Sequence, residues 1–409
     1  MTPSNSLFSR FGVELEYMIV DAQTLDIRPV ADELIRLETG ALQSDAPRED
    51  LEWSNELMLH VIELKTAAPA HALDALAARF HSDVVHINKL LSGLGLCLLP
   101  GGMHPWMSPD REARLWPHDG QSVYEAFDRI FNCRGHGWAN LQSTHLNLPF
   151  AGEEEFARLH TAIRLLLPLI PALSASSPFA EGVHAGFLDY RLETYRHNCR
   201  RIPSITGRVV PEAIRSFVQY QQRILNRIYR DLKPHDPEGI LRYEWANARG
   251  AITRFDRDTI EIRIIDVQEC PAADLAILSM VVRVLTQLAG GEMSSLEDQF
   301  LPRTPDLERV FLNVLKQGEQ APVRSRLYLR ALGCSDATSM SVGEIWSAWL
   351  ERMSTPEDHW NGILRTLLRE GNLARRILRA TGPSPSRDRI AGVYRQLAQC
   401  LHNGELFHA

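Results

Sequence analysis

Gly12-Val-Glu-Leu-Glu-Tyr17 and Thr259-Ile-Glu-Ile-Arg-Ile-Ile-Asp266 decide how this chain folds. In both, polar and apolar residues alternate with period two, the period of a strand whose side chains point to opposite faces in turn. Glu14 and Glu16 then share one face, with Val13, Leu15 and Tyr17 on the other. Glu261 and Arg263 stand opposite Ile260, Ile262 and Ile264. Two further segments repeat the arrangement. His60-Val-Ile-Glu-Leu-Lys-Thr66 puts Val61, Glu63 and Lys65 on one side and Ile62 and Leu64 on the other. Ser143-Thr-His-Leu-Asn-Leu148 sets His145 and Asn147 against Thr144, Leu146 and Leu148.

A solvated strand face would account for Glu14 and Glu16 taken alone. Neighbouring carboxylates repel, however, unless a cation sits between them, and magnesium or manganese, as hard cations, prefer oxygen ligands. Polar groups recurring in four otherwise apolar strands point to a sheet with one wet, charged face. A plain outer surface would carry more Lys, Thr and Ser.

Outward from these segments, the reading gives strands at Phe11–Val20, Leu57–Thr66, Cys97–Leu99 and Gln142–Leu148, and a hairpin over Ala251–Ile265 turning at Asp256-Arg257-Asp258. Helical spacing marks Ala31–Leu37, His71–Leu94, Glu153–Leu167 and Ala213–Leu232, the last stopped by Pro234. Beyond about Pro271 the pattern is almost wholly helical. Antiparallel strands with segregated helices predict an α+β fold, with a catalytic region over 1–300 and a helical region over 301–409 packed on it.

The chain has 409 residues, 44% hydrophobic and 23% charged, with a formal charge of -7. Such a chain can bury a sizeable core. Its acidic balance argues against duplex nucleic acid as a partner, which needs a basic face. The six cysteines form no CxxC pair, which disfavours zinc ribbons and redox motifs and favours reduced thiols in the cytoplasm. The stretch Met1–Arg10 is polar, unlike a signal peptide. The apolar run Leu275–Ala289, interrupted by Arg283, is read as too short for a bilayer. A soluble, cytoplasmic protein with small-molecule partners is expected, and no feature sets its oligomeric state.

No GxxxxGK[ST] loop occurs, nor GxGxxG after a strand. If ATP is bound, metals and arginines must hold its phosphates. Arg191, Arg249, Arg254 and Arg263 are candidates, since a guanidinium matches phosphate or carboxylate oxygens. An ordinary surface salt bridge is the competing reading for each.

Taken in order, the four strands resemble the glutamate–cysteine ligase type 2 family of carboxylate–amine ligases. Gly12-Val-Glu-Leu-Glu is similar to its opening G-[VI]-E-x-E, Val61-Ile-Glu-Leu-Lys-Thr66 to its second glutamate strand, and Ser143-Thr-His-Leu-Asn to its histidine strand. Leu173-Ser-Ala-Ser-Ser-Pro-Phe179 resembles its A-x-S-A-N-S-P-[FW] loop, and Trp245-Ala-Asn-Ala-Arg249 its W-x(3)-R. Ser176 and Asn147 depart from the family's usual Asn and second His.

The resemblance implies a glutamine synthetase-like antiparallel sheet funnel. In it, Glu14, Glu16, Glu63 and Glu261 would be metal carboxylates, and His145 a metal or nucleotide-phosphate contact. Arg263 would face the transferred phosphate, and Arg191 or Arg249 would bind substrate carboxylate or nucleotide phosphate. ATP and Mg2+, or Mn2+, are the implied cofactors, and a γ-glutamyl amide made from glutamate and cysteine the implied product. A phosphotransferase on the same fold and a non-enzymatic metal-nucleotide or amino-acid binder are the alternatives.

Overall fold

The structure, a computed structural model, describes residues 6–334, 337–355 and 358–409. The first five residues of the polar Met1–Arg10 stretch lie outside them. Eight strands build the main sheet: β1 (Gly12–Asp21), β2 (Asp45–Pro47), β3 (Leu51–Asn55), β4 (Val61–Thr66), β5 (Leu96–Leu99), β6 (Ser143–Pro149), β7 (Ala251–Arg254) and β8 (Thr259–Asp266). They run β2-β3-β4-β1-β6-β8-β7, with β5 also paired to β1, and every pairing is antiparallel. The expected α+β sheet is present.

β1 divides one of its edges between two partners. Gly12–Leu15 pair with β6 and Met18–Asp21 with β5, leaving Glu16 beside the gap. Its core face, Val13, Leu15 and Tyr17, joins Ile62, Leu64, Leu146, Leu148 and Ile260 in one apolar cluster. Helices Leu76–Ser92, Gly152–Leu166 and Pro271–Ala289 cover that side. The first aims Leu76, Phe80, Val84, Ile87 and Leu91 inward at helical spacing. The same cluster takes in Phe311, Tyr328, Trp346 and Leu364 from the later helices, and Arg376 forms a fully buried ion pair with Glu269.

Four readings need correction. Leu57–Thr66 is not one strand: β3 and β4 form a hairpin around residues 56–60, a turn without Gly or Pro to mark it. The helix read as Ala213–Leu232 starts at Phe217, where the Ser216 side chain accepts from Gln219 N, and Gln221–Leu225 forms a π turn. The helix read from His71 begins at Leu76. The apolar run extends back to Pro271, so Pro271–Ala289 is, among the described residues, one helix with the length and mean hydropathy (1.6) of a bilayer span. It is packed in the protein core, with Asp274 accepting from the Thr144 hydroxyl at 2.6 Å.

His160, on helix Gly152–Leu166, is buried with neither ring nitrogen hydrogen-bonded, packed against Phe156 and Tyr220. Burial, reinforced by the Arg164 charge, depresses its pKa from 6.5 to about 3. The unfolded chain therefore binds this proton between pH 6.5 and 3 while the folded chain refuses it, so stability is lost as pH falls through that window. Between pH 7.5 and 5 this group alone removes about 2 kcal/mol. In His160→Leu, the loss of unfolding free energy between those pH values, measured by urea denaturation, should shrink by that amount.

Candidate active site

The register assembles the wet face in rows. Glu63 lies directly across from Ser54 on β3 and Glu16 on β1. Glu14 lies between Lys65 on β4 and His145 on β6. Asn147 lies between Gly12 and Glu261. A bulge in β8 between Ile262 and Ile265 inserts one residue, which turns Asp266 to the same face as Glu261 and Arg263.

Each carboxylate is held from outside the cluster. Ser54 Oγ donates to Glu63 at 2.7 Å, Asn147 Nδ2 to Glu14 at 3.0 Å, and Ser143 N to Glu16 at 2.7 Å. The His145 ring bridges the rows, with Nδ1 2.7 Å from Glu14 and Nε2 3.8 Å from Glu16. Glu14, Glu63 and His145 each bring one ligand atom within 4.8 Å of the others, and so do Glu16, Glu56 and Glu63. Glu63 belongs to both groups.

The electrostatics suit a divalent cation. Burial and then the charge of Glu16 push Glu56 up to about 7. Burial, Glu14 and Glu56 push Glu63 well above the usual carboxylate range. Burial also opposes ionisation of Glu14, but the hydrogen bond and charge of His145 outweigh it and hold Glu14 at about 2. Burial disfavours the His145 imidazolium, yet its carboxylate neighbours, Glu14 foremost, raise it to about 10. Crowded oxygen donors pushed toward their neutral forms by burial and by one another suit a hard divalent ion, which would displace their protons. Glu16, Glu56 and Glu63 offer oxygen alone, the donor set magnesium prefers.

Two chambers open on this floor. The larger, about 630 Å3, contains Glu14, Glu63, His145 and Glu261 and is rimmed by Arg10, Lys65, Arg254 and Arg257. The smaller, about 270 Å3, has an aromatic wall, with Arg191 and Tyr195 among its lining residues. Glu56, His145 and Arg263 line both.

With that geometry in place, comparison with known proteins is decisive. The sequence pattern of glutamate-cysteine ligase family 2 matches residues 10–396. The chain belongs to this family. A protein of Archaeoglobus fulgidus, whose name states no function, is 32% identical over 97% of this chain and 99% of its own length. A protein of Roseiflexus castenholzii named "Putative glutamate--cysteine ligase 2" is 27% identical over 60% of this chain, a match spanning 62% of that protein. Among solved structures, the glutamate–cysteine ligase of Francisella tularensis in complex with AMP superimposes with a TM-score of 0.57 at 11% identity, covering 98% of this chain and 89% of that one. A bifunctional glutathione synthetase from Pasteurella multocida gives 0.56 at 14%, covering 97% of this chain and 53% of that one. The family's funnel-shaped ligase fold is therefore the fold of this chain.

Glu14, Glu16, Glu63, His145, Glu261 and Arg263 of this family member converge on the wet face. Glu261 stands apart from both ligand groups: its Oε1 accepts from Arg263 Nε at 3.0 Å and from Nη2 as well. Arg191 lies on the floor of the smaller chamber, its Nε donating to Asp266. Arg254 reaches the larger chamber while bound to Asp256 at 3.0 Å.

Arg249 does not reach the site. Nε and Nη2 each donate to Glu212 at 2.7 Å, while Nη1 donates to the Ser204 carbonyl and to Asn247 Oδ1. With its donors consumed, this guanidinium ties the 204–212 loop to the strand that follows. Arg249→Met should cost about 2 kcal/mol by leaving the buried Ser204 carbonyl and Asn247 Oδ1 without this donor, read as a lower denaturation midpoint, with Mg-ATP affinity unchanged by calorimetry.

Sequence reasoning missed Glu56. Leu51-Glu-Trp-Ser-Asn-Glu56 carries period two, with Glu52, Ser54 and Glu56 opposite Leu51 and Trp53, but it is short and poor in β-branched residues. The two departures from the family pattern have different surroundings. Asn147 orients Glu14 inside the larger chamber. Ser176 anchors its loop outside both chambers, accepting from Gly102 N and donating to the Val267 carbonyl.

Proposed function

We propose that the chain is an ATP-dependent carboxylate–amine ligase of the cytoplasm, with glutamate as the default carboxylate and a γ-glutamyl amide as product. One observation carries the reading: Glu14 on β1, Glu56 after β3, Glu63 on β4 and Glu261 on β8 meet His145 and Arg263 in a chamber rimmed by cations. The six cysteines, all free, accord with a reducing compartment.

A carboxylate is a poor acyl donor until its oxygen is made a leaving group. Transfer of the ATP γ-phosphoryl group to it yields ADP and an acyl phosphate. The amine nitrogen then attacks the acyl carbon, the C–O bond to phosphate breaks, inorganic phosphate departs with the electron pair, and nitrogen loses a proton. Magnesium held by Glu14, Glu16, Glu56 and Glu63 would neutralise charge on the triphosphate. Arg10, Lys65, Arg254 and Arg257 supply a cationic rim for the phosphates and the nucleotide. Arg263, shared by both chambers and fixed by Glu261, points positive charge at the junction where phosphoryl oxygens would meet the acceptor carboxylate.

The test is to incubate the protein with ATP, Mg2+, glutamate and hydroxylamine. A hydroxamate formed with stoichiometric ADP is the expected result. ADP accompanied by a phosphorylated acceptor and no hydroxamate would make the protein a phosphotransferase, and nucleotide binding without ADP would make it a binding protein.

A further inference from the structure

The smaller chamber has a wall that glutamate and ATP leave unused. Leu57, Met58, Phe127, Trp138, Leu141 and Trp245 line it. The rings hold one another in place: Phe127 lies 5.3 Å from Trp138 and 5.9 Å from Trp245, and Trp245 stacks on Tyr243 at 5.8 Å and 11°. Half-buried aromatic rings lining a concave site mark a surface built to take apolar matter from water.

The floor beneath is polar and underused. Arg191 is 1% exposed, and beyond its bond to Asp266 it has only two long contacts, at 3.5 Å, to the Arg263 carbonyl. The buried Tyr195 hydroxyl lies beside the Arg263 guanidinium and donates to no group. A guanidinium with N–H groups to spare and a phenol whose O–H is unused suit a carboxylate.

The larger chamber, with its volume and its rim of Arg10, Lys65, Arg254 and Arg257, suits a triphosphate better than the smaller one. The smaller chamber meets it at Glu56, His145 and Arg263, where the acyl phosphate would form. Its apolar wall offers nothing to the charged side chain of glutamate, which leaves the amine substrate as its occupant. At about 270 Å3, a three-carbon amino acid such as cysteine would leave the rings largely uncovered and forfeit the dispersion they offer.

We infer that the amine substrate is an α-amino acid with an aromatic or large apolar side chain, its carboxylate on Arg191 and Tyr195 and its side chain against Phe127, Trp138 and Trp245. This inference rests on the ligase reading and fixes its acceptor class. The amine nitrogen lies toward the junction, where it forms the C–N bond as phosphate leaves and its proton passes to solvent.

The experiment has two arms. Amide formation is measured with ATP, Mg2+ and glutamate against L-phenylalanine, L-leucine, L-cysteine and L-alanine. L-Phenylalanine or L-leucine should exceed L-cysteine in kcat/KM by on the order of 100-fold, the scale set by several methylene-sized contacts. Cysteine equal or better would overturn the inference while leaving the ligase reading intact, because hydroxamate formation tests that reading without an amino-acid acceptor. In the second arm, tryptophan fluorescence is titrated with L-phenylalanine in the presence of Mg2+ and a non-hydrolysable ATP analogue. A saturable change is expected whether or not turnover occurs, and its absence would overturn the inference. Leu141→Trp, which fills the chamber, should lower the phenylalanine-to-alanine ratio at least tenfold, and an unchanged ratio would count against it.

Discussion

Glu63→Gln should lower kcat for Mg2+-dependent ADP release by roughly 10^3-fold, the scale at which several kcal/mol of charge stabilisation disappear, without unfolding the protein. Glu63 is the carboxylate common to both ligand groups, so one substitution weakens two cation positions. Glutamine keeps the shape and can still accept the Ser54 hydroxyl bond. Burial, Glu14 and Glu56 all push Glu63 toward its neutral form, so an amide in its place removes a charge that its surroundings disfavour. The metal-free variant should therefore melt at the same temperature as the parent or higher. The rise in melting temperature that Mn2+ gives the parent should be lost. A variant that melts lower without metal, or keeps its Mn2+ response, would show that Glu63 is structural. Stability gained where activity is lost is the signature of a site that holds like charges together for a ligand.

The same charge crowding explains what could be read in the sequence. Alternation in Gly12–Tyr17, Val61–Thr66, Ser143–Leu148 and Thr259–Ile264 fixed which side chains share a face, because period two is a local property of the backbone. That Glu63 stands opposite Glu16, and Glu14 opposite His145, is a matter of strand order, which no local pattern contains. Glu56 was invisible for a related reason: it lies just beyond a short strand, in a turn that lacks Gly or Pro, and joins the cluster only because the β3–β4 hairpin folds it back. Arg249 failed in the opposite way. Its motif spacing fitted the family pattern, but its partner Glu212 lies 37 residues away, so nothing near it in sequence announced a structural role. Asp266 was read only as the end of a motif; the β8 bulge, a non-local irregularity, is what turns it to the wet side.

That bulge makes Asp266 the joint between fold and second chamber, and Asp266→Ala should damage both. Its buried carboxylate accepts from Ser176 N at 2.8 Å, Ser177 Oγ at 2.7 Å and Arg191 Nε, and Gly102 packs so close that a Cβ there would come within 2.5 Å of it. Alanine leaves the Arg191 guanidinium buried without this partner, a loss that costs about 3–5 kcal/mol when nothing replaces it. A partial replacement stands nearby. Burial and then the Asp266 charge push Asp189 well above the usual carboxylate range, so removing Asp266 lets Asp189 ionise more readily and draw Arg191 toward it. The expected cost is therefore at the lower end, about 3 kcal/mol, seen in the urea midpoint. Arg191 would leave the chamber floor, so KM for the amine substrate should rise at least tenfold while KM for ATP stays within about twofold, because the nucleotide chamber does not include Arg191. Gly102→Ala should reproduce the split by pressing on the same carboxylate from the opposite side. Equal rises in both KM values would mean that the two chambers do not hold separate substrates.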